Sequence, residues 1–288
     1  MPELPEVEAL SAFLDERLAG RTVAAALPVA FQALKTYDPP LTALEGRTFD
    51  GAGRLGKFVD LRLGELHLVI HLARAGWIRW KDGLPAGPPR PGKGPLALRV
   101  LLSGPGSAGF DVTEAGTQKR LAISVVRDPA EVPGVARLGV DPLSAQFTLE
   151  ALTGLLDGER RLIKGVLRDQ TVIAGIGNAY SDEILHAARM SPFKIAGKLT
   201  PEEVAGLHGI AVSTLTEAVE RSRGLPLTEL KQEKKTGLRV HGRTGEACPV
   251  CGDRIREVSF SDSSLQYCPT CQTGGKVLAD RRLSRLLK

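Results

Sequence analysis

All four cysteines of this 288-residue chain fall into two Cys-x-x-Cys pairs, Cys248/Cys251 and Cys268/Cys271, with sixteen residues between the pairs. That interval is long enough for a β-hairpin that turns the four sulfurs toward one point, and no cysteine is left elsewhere for a disulfide framework. The spacing predicts one Zn2+ held by four thiolates; the competing reading is a set of unpaired buried thiols. Four protein ligands close the tetrahedron, so such an ion holds a fold and offers no position to a substrate. Any chemistry must come from elsewhere in the chain.

The length suits two compact units or one unit with a small module. A hydrophobic content of 42% predicts a globular protein, and no run approaches the roughly 18 apolar residues of a membrane span. The opening Met-Pro-Glu-Leu-Pro-Glu-Val-Glu is acidic and unlike a secretory signal, so a cytoplasmic protein is expected. A formal net charge of +5 with pI near 9.1 fits an anionic partner without demanding one.

Residues 5–19 place Val7, Leu10, Phe13, Leu14 and Leu18 at helical spacing. From Thr22 to Val126 the pattern becomes short alternating runs, 57–63, 66–72, 96–102 and 121–126, separated by glycine-bearing turns, which predicts a β-rich domain. The stretch 85–95 is too rich in proline and glycine for regular structure and reads as a basic loop. Beyond the proline-containing segment 128–142 the signals turn helical, over 149–156, 161–168, 178–188 and 201–222. The expected division is 1–135, a linker 136–148, a helical domain 149–238, a zinc module 239–275 and a basic tail 276–288.

Two segments carry candidate chemistry outside the cysteines. Ile173-Ala-Gly-Ile-Gly-Asn178 runs into a helix, where backbone amides and the Asn178 side chain either bind a phosphate or simply cap a turn; Lys164, in a basic run one helix earlier, favours the phosphate. At the other end, trimming of Met1 would leave Pro2 with a free secondary amine. An α-amino group with pKa near ~7.8 is about one-tenth neutral at pH 7, far more than lysine near ~10.4, and attack needs that neutral fraction. Glu3 and Glu6 supply carboxyl groups for proton transfer. The same residues also read as ordinary capping groups at a helix start.

In order along the chain, PELPEVE, Arg54-Leu-Gly-Lys57, His71-Leu72 with Gly76, Leu138-Gly-Val-Asp-Pro-Leu143, Asp169-Gln170 through Gly175-Ile-Gly-Asn178, and Val240-His-Gly-Arg243 before the cysteines resemble the motifs of the Fpg/Nei family of DNA glycosylases. The resemblance covers nearly the whole chain. It implies an α+β multidomain fold: a β-sandwich domain with an N-terminal helix, then a helical domain with a helix-two-turn-helix motif and a zinc-finger hairpin. It also implies a monomeric repair enzyme acting on damaged double-stranded DNA, with zinc as its cofactor. On this reading Pro2 attacks C1′ of the damaged nucleotide, Glu3 shuttles protons at the sugar, Glu6 supports the geometry and Lys57 contacts the neighbouring phosphate. His71, Lys164 and Asn178 become further backbone contacts, although His71, after Leu68-Val-Ile70, also reads as a core histidine.

The departures from the family concern lesion recognition, because extruding a base leaves a gap that side chains must fill. Arg74 stands where a void-filling methionine is usual. Lys119, Arg120 and Leu121 lie in the segment that elsewhere supplies an arginine and a phenylalanine wedge, Lys119 and Leu121 taking those two places. The stretch 224–239 is shorter than the loop that closes over 8-oxoguanine in some members, which predicts a preference for oxidised pyrimidines, hydantoins or ring-opened purines. Ser263 replaces the arginine of the zinc hairpin, with Arg256 or the basic tail as expected substitutes. Two other functions fit the same resemblance: an abasic-site lyase without base excision, and a non-enzymatic zinc-ribbon protein that binds damaged DNA.

Overall fold

The N-terminal helix forms because its first turn is closed from both sides. In the computed structural model, which describes residues 1–85, 87, 89, 94–260 and 263–279, α1 spans Leu4–Leu18, and Glu3 and Glu6 form a capping box in which the Glu3 amide donates to Glu6 Oε2 at 2.8 Å. Val7, Leu10, Leu14 and Leu18 are fully buried along one face. The strands that follow are β1 (Val23–Pro28), β2 (Gly51–Leu55), β3 (Phe58–Leu63), β4 (Leu66–His71), β5 (Gly76–Lys81), β6 (Leu96–Leu102), β7 (Gly109–Glu114) and β8 (Ala122–Val126).

They make two antiparallel four-stranded sheets, ordered β1-β6-β7-β5 and β2-β3-β4-β8. One hydrophobic core takes Val59, Leu61, Leu63, Leu68 and Ile70 from one sheet, Ile78, Leu98, Val100, Phe110 and Val112 from the other, and the buried face of α1. This is the expected sandwich with its helix. On the other face of each sheet, buried charge is paired across strands. Arg99 clasps Asp111 through two bonds of 2.8 and 2.9 Å, and His67 Nδ1 lies 2.8 Å from Asp60.

The chain divides into two compact units, and the division is not a single cut. The first comprises Met1–Leu138 together with Ser222–Lys231, the second Gly139–Arg221 with Gln232–Lys288. The stretch 222–231, which the sequence reading assigns to the helical domain, therefore belongs to the sandwich, because Leu227 and Leu230 are buried in its core and Trp77 Nε1 donates to the Leu227 carbonyl at 3.2 Å. Also in the first unit is the short α2 (Pro133–Ala136).

The second unit is built from α3 (Leu149–Leu156), α4 (Ile163–Arg168), α5 (Asn178–Ala187) and α6 (Pro201–Ser222), followed by α7 (Leu230–Gly237), the hairpin β9 (Arg256–Ser259) and β10 (Ser264–Tyr267), and α8 (Pro269–Thr273). α6 and α7 thus run across the boundary between units. Gly139 shows why its motif is constrained: a Cβ there would sit 2.2 Å from the Val172 carbonyl oxygen, in the bridge that joins Val140 to Ile173. No described helix is long and apolar enough to cross a membrane. Residues 280–288 of the expected basic tail, and 86, 88 and 90–93 of the proline-rich loop, lie outside the described residues.

Candidate functional site

Hydrogen bonds between α1 and β2 decide which end of the sandwich carries the chemistry. Arg54 Nε pairs with Glu8 at 2.7 Å, Ser11 Oγ donates to the Gly53 carbonyl at 2.9 Å, and the Ala52 amide donates to Asp15 at 2.6 Å. As the helix advances the strand retreats, so the Gly56-Lys57 turn that ends β2 comes toward the first turn of α1. Sheet register then adds the rest. Phe58 faces His71 on β4, and His71 faces Ala122 on β8. The connection holding Arg74 follows His71, and the connection holding Lys119 and Arg120 precedes Ala122. The Ala115 amide bonds the Ala75 carbonyl at 3.2 Å, joining these two connections. Every candidate of the first unit therefore lies at one end of one sheet.

The side chains there are shielded. Glu3 and Glu6 are each 2% exposed and Lys57 is 7% exposed, while Pro2 is buried behind an exposed Met1. Lys57 sits in the turn just ahead of β3, one residue before the strand expected to begin with it. His71 packs against Phe58 with the rings tilted by 41° and their centroids 4.6 Å apart, and burial, aided by the charge of Lys57, lowers its pKa to about 4. A base with a depressed folded pKa favours the neutral form. Stability is therefore lost as pH falls from about 6.5 toward 4, because the unfolded chain gains a proton that the fold excludes. The expected result is that His71 keeps a neutral imidazole from pH 8 down to 5, read from its 15N shifts by NMR. A midpoint above pH 6 would contradict this packing.

The connection 72–75 is tight. Ala73 holds a left-handed φ of 50°, and a Cβ on Gly76 would approach the Leu72 carbonyl oxygen to 2.2 Å, so this turn tolerates only glycine at its end. It leaves Arg74 exposed. The facing connection 115–121 is organised by Glu114, a residue the sequence reading does not single out. Its Oε1 accepts the Arg120 and Leu121 amides at 2.7 and 2.9 Å, and its carbonyl accepts Lys119 Nζ at 2.6 Å. Lys119 and Arg120 are exposed on this turn, but Leu121 is 2% exposed within the sandwich core. The structure thus corrects the wedge role expected of Leu121: the side chain packs inward and anchors the turn.

In the second unit the glycine turn is fastened by one side chain. Gln170 Nε2 donates to the Arg168 and Ile176 carbonyls, both at 2.8 Å, and its Oε1 accepts the Gly175 amide at 2.9 Å. Gly177, not Asn178, is the N-cap of α5. Asn178 Nδ2 donates to the Ser264 carbonyl at 2.7 Å, which ties the turn to the zinc hairpin, and its Oδ1 is buried without a partner.

Lys164 does not reach outward. Only 4% exposed, it gives Nζ bonds to Ser181 Oγ and Asp182 Oδ1 at 2.7 Å and to the Asn178 carbonyl at 3.1 Å. An ammonium has three protons, and all three are committed here, so the phosphate contact expected of Lys164 gives way to a staple between α4 and α5. Asp182 in turn accepts His241 Nδ1 at 2.7 Å and the Gln266 amide at 3.2 Å. Its neighbour Glu183 accepts the amides of Arg239, Val240 and His241 at 2.7 to 2.9 Å, and burial raises its pKa. These adjacent acids hold the Val240-His-Gly-Arg243 motif. Their only sequence signal is a pair of adjacent acids inside a helix whose residues are otherwise uncharged or histidine.

The four cysteine sulfurs lie within 4.8 Å of one another, with Cys251 and Cys268 3.3 Å apart and Cys248 and Cys271 3.9 Å apart. A tetrahedral ion with Zn–S of about 2.3 Å needs sulfurs roughly 3.8 Å apart, so the set fits Zn2+. His186 Nε2, from α5, stands 3.3 Å from Cys248 Sγ. Beside the hairpin, Ser263 and Phe260 line a groove of about 650 Å3 with Arg160, Arg161 and Arg168. Arg161 is taken up by Glu159 and Asp169.

Comparison with known proteins agrees with this architecture. Residues 1–108 match the formamidopyrimidine-DNA glycosylase N-terminal domain, 138–227 its H2TH domain, and 245–274 the zinc finger found in FPG and IleRS. The cysteine cluster is accordingly a structural zinc site. Over 98% of its length the chain is 37% identical to a formamidopyrimidine-DNA glycosylase from Symbiobacterium thermophilum, covering 93% of that protein. It is 59% identical over 159 residues, 55% of this chain and 99% of the relative, to an uncharacterized formamidopyrimidine-DNA glycosylase-like protein from Mycobacterium tuberculosis. Among solved structures, the Lactococcus lactis enzyme bound non-covalently to DNA containing an AP site superposes with a TM-score of 0.80 at 25% identity, covering 94% of this chain and 99% of that one.

Proposed function

Because the chain belongs to the formamidopyrimidine-DNA glycosylase family, we propose that it is a bifunctional DNA glycosylase and abasic-site lyase that removes oxidised bases from duplex DNA through Pro2. Loss of Met1 uncovers the secondary amine of Pro2, which attacks C1′ of the damaged nucleotide as the base departs. The resulting iminium acidifies the sugar, and elimination of the phosphates on both sides, first β and then δ, leaves a gap. Glu3 moves the protons at the sugar, Glu6 holds the Glu3 amide, and Lys57 meets the phosphate beside the lesion. His71 and Asn178 add contacts to the strand, with Arg74, Lys119 and Arg120 at the opened base pair. Zinc takes no part in the bond changes; its four thiolates hold the hairpin.

The observation that carries this reading is the convergence of the capped first turn of α1, the Lys57 turn and His71 at one sheet end, by the hydrogen-bond registers. The test is borohydride trapping on duplexes bearing either an oxidised base or an abasic site. A covalent adduct with both is expected. An adduct with abasic DNA alone would reduce the protein to a lyase, and none with either would leave a DNA binder.

The lesion preference we propose follows from the returning segment. The resemblance implies a loop here that closes over 8-oxoguanine in some members, but Leu227 and Leu230 are buried in the sandwich and α7 begins at Leu230. A segment so pinned supports preference for oxidised pyrimidines, hydantoins or ring-opened purines. Side-by-side duplex assays should show slower release of 8-oxoguanine opposite cytosine; equal or faster release would overturn the preference. Arg160 and Arg168, in one groove with Ser263, offer the phosphate charge that the serine lacks; Arg256 of β9 is exposed but does not line that groove.

A further inference from the structure

A second groove, of about 640 Å3, opens within the first unit between α1, β5 and the returning segment. Its position separates it from Pro2, since Phe13 on its wall lies ten residues along α1 from Glu3, about 15 Å at the rise of an α-helix. β5 is an edge strand of its sheet, so residues from both of its faces reach the groove.

Two kinds of side chain line it. Phe13 and Trp80 meet edge to face with ring centroids 6.3 Å apart. Around them stand Arg17, Arg79, Lys81 and Lys231, all exposed, with no carboxylate among the lining residues. The Arg17 guanidinium is 5.3 Å from the Phe13 centroid and 5.8 Å from that of Trp80; Arg21 is 5.9 Å from Trp80. The Lys231 ammonium sits 4.7 Å over Trp77.

The acids nearby are occupied. Asp82 accepts Trp80 Nε1 at 2.8 Å, and Asp111, clasped by Arg99, also pairs with Lys81 at 3.9 Å. Cation–π packing accounts for Arg17 and Lys231, and Asp111 is shared by Arg99 and Lys81 opposite Arg79, which leaves the rim with an excess of positive charge. Partial desolvation of the Lys231 ammonium, with a smaller part from the charge of Arg79, holds it below the usual lysine range. A bound anion relieves that repulsion.

Aromatic rings interleaved with cations along an open edge are the chemistry that holds an unpaired nucleic-acid strand, in which each base offers a stacking face and each linkage a negative charge. We propose that this groove binds unpaired DNA, with bases stacked against Phe13 and Trp80 and phosphates beside Arg17, Arg79, Lys81 and Lys231. The site is separate from the Pro2 chemistry and needs no lesion.

The probe is a short, undamaged, fluorescein-labelled oligothymidylate followed by anisotropy. Trp80→Ala should weaken its binding roughly tenfold, with Trp80→Phe restoring most of it. The double variant Arg79→Glu/Lys81→Glu, at two exposed positions, should weaken it further and flatten the dependence of log affinity on log salt by about one unit. Incision of an abasic duplex should persist in all three variants, which separates this site from Pro2. Unchanged oligothymidylate affinity in both Trp80→Ala and the charge-reversed variant would overturn the proposal. So would competition by free thymidine monophosphate or an acidic peptide as strong as that by the strand.

Discussion

With Glu3 replaced by glutamine, single-turnover release of an oxidised base should fall by roughly 10²–10⁴-fold, the usual contribution of a positioned proton-transfer group. Folding should survive the change. The helix start depends on the Glu3 amide donating to Glu6 Oε2, and a glutamine at position 3 keeps that amide. Glu6→Ala provides the contrast. It removes the acceptor of the capping box, an effect on the order of 0.5–2 kcal/mol on stability, and disturbs the rate only through the placement of Glu3. A general acid or base and a capping residue thus separate by readout: the first changes the rate at constant melting temperature, the second shifts both. If Glu3→Gln releases base at the wild-type rate, Glu3 is a cap alone and the proton-transfer role fails.

That contrast bears on what the sequence could reveal. Helical periodicity is plain at 149–156 and 201–222, and 96–102 stands out as an unbroken apolar run apart from Arg99; all three form elements with those same limits. β1, β5 and β7 gave weaker signals, for distinct reasons. Val23–Pro28 is alanine-rich, Gly76–Lys81 mixes tryptophan with arginine, and Gly109–Glu114 is buried on both faces, so none shows a clean period of two. The return of 222–231 to the sandwich was not legible at all. Its three leucines, Leu225, Leu227 and Leu230, follow no regular helical or strand period, and the partner of this segment, Trp77, lies 150 residues away from Leu227 in sequence.

Residue type singles out the proposed reacting groups more readily than the groups that position backbone around them. Pro2, Glu3 and the cysteines are marked by chemistry and spacing. Glu114, Asp182 and Glu183 look in sequence like any solvated acid, and only burial turns them into organisers of backbone amides. Lys164 errs in the opposite direction: a lysine in a basic run suggests a phosphate, yet the fold commits its charge to Asp182. Leu121 does likewise. In both cases the local sequence specifies a group, and tertiary packing decides which way it faces.

Asp182 is where this packing should be felt most. The carboxylate is 1% exposed, and its two oxygens receive Lys164 Nζ, His241 Nδ1 and the Gln266 amide, so it joins α4 and α5 to the loop before the zinc module and to β10. Asp182→Ala leaves the Lys164 ammonium buried without its counter-charge, a change that typically costs about 3–5 kcal/mol. Against a domain stability of about 5–15 kcal/mol, that is about a fifth or more of the whole. At about 2–4 °C per kcal/mol for a unit of this size, the calorimetric transition of the second unit should fall by roughly 6–20 °C. Lys164→Met added to Asp182→Ala should recover part of the loss, because the orphaned charge is then gone; additivity of the two changes would instead mean that the pair is not coupled. The zinc-bound hairpin loses one of its ties to α5 in the single variant, the bond from Asp182 to the Gln266 amide. Duplex affinity should therefore weaken together with the melting temperature, whereas Glu3→Gln lowers the rate and leaves both in place.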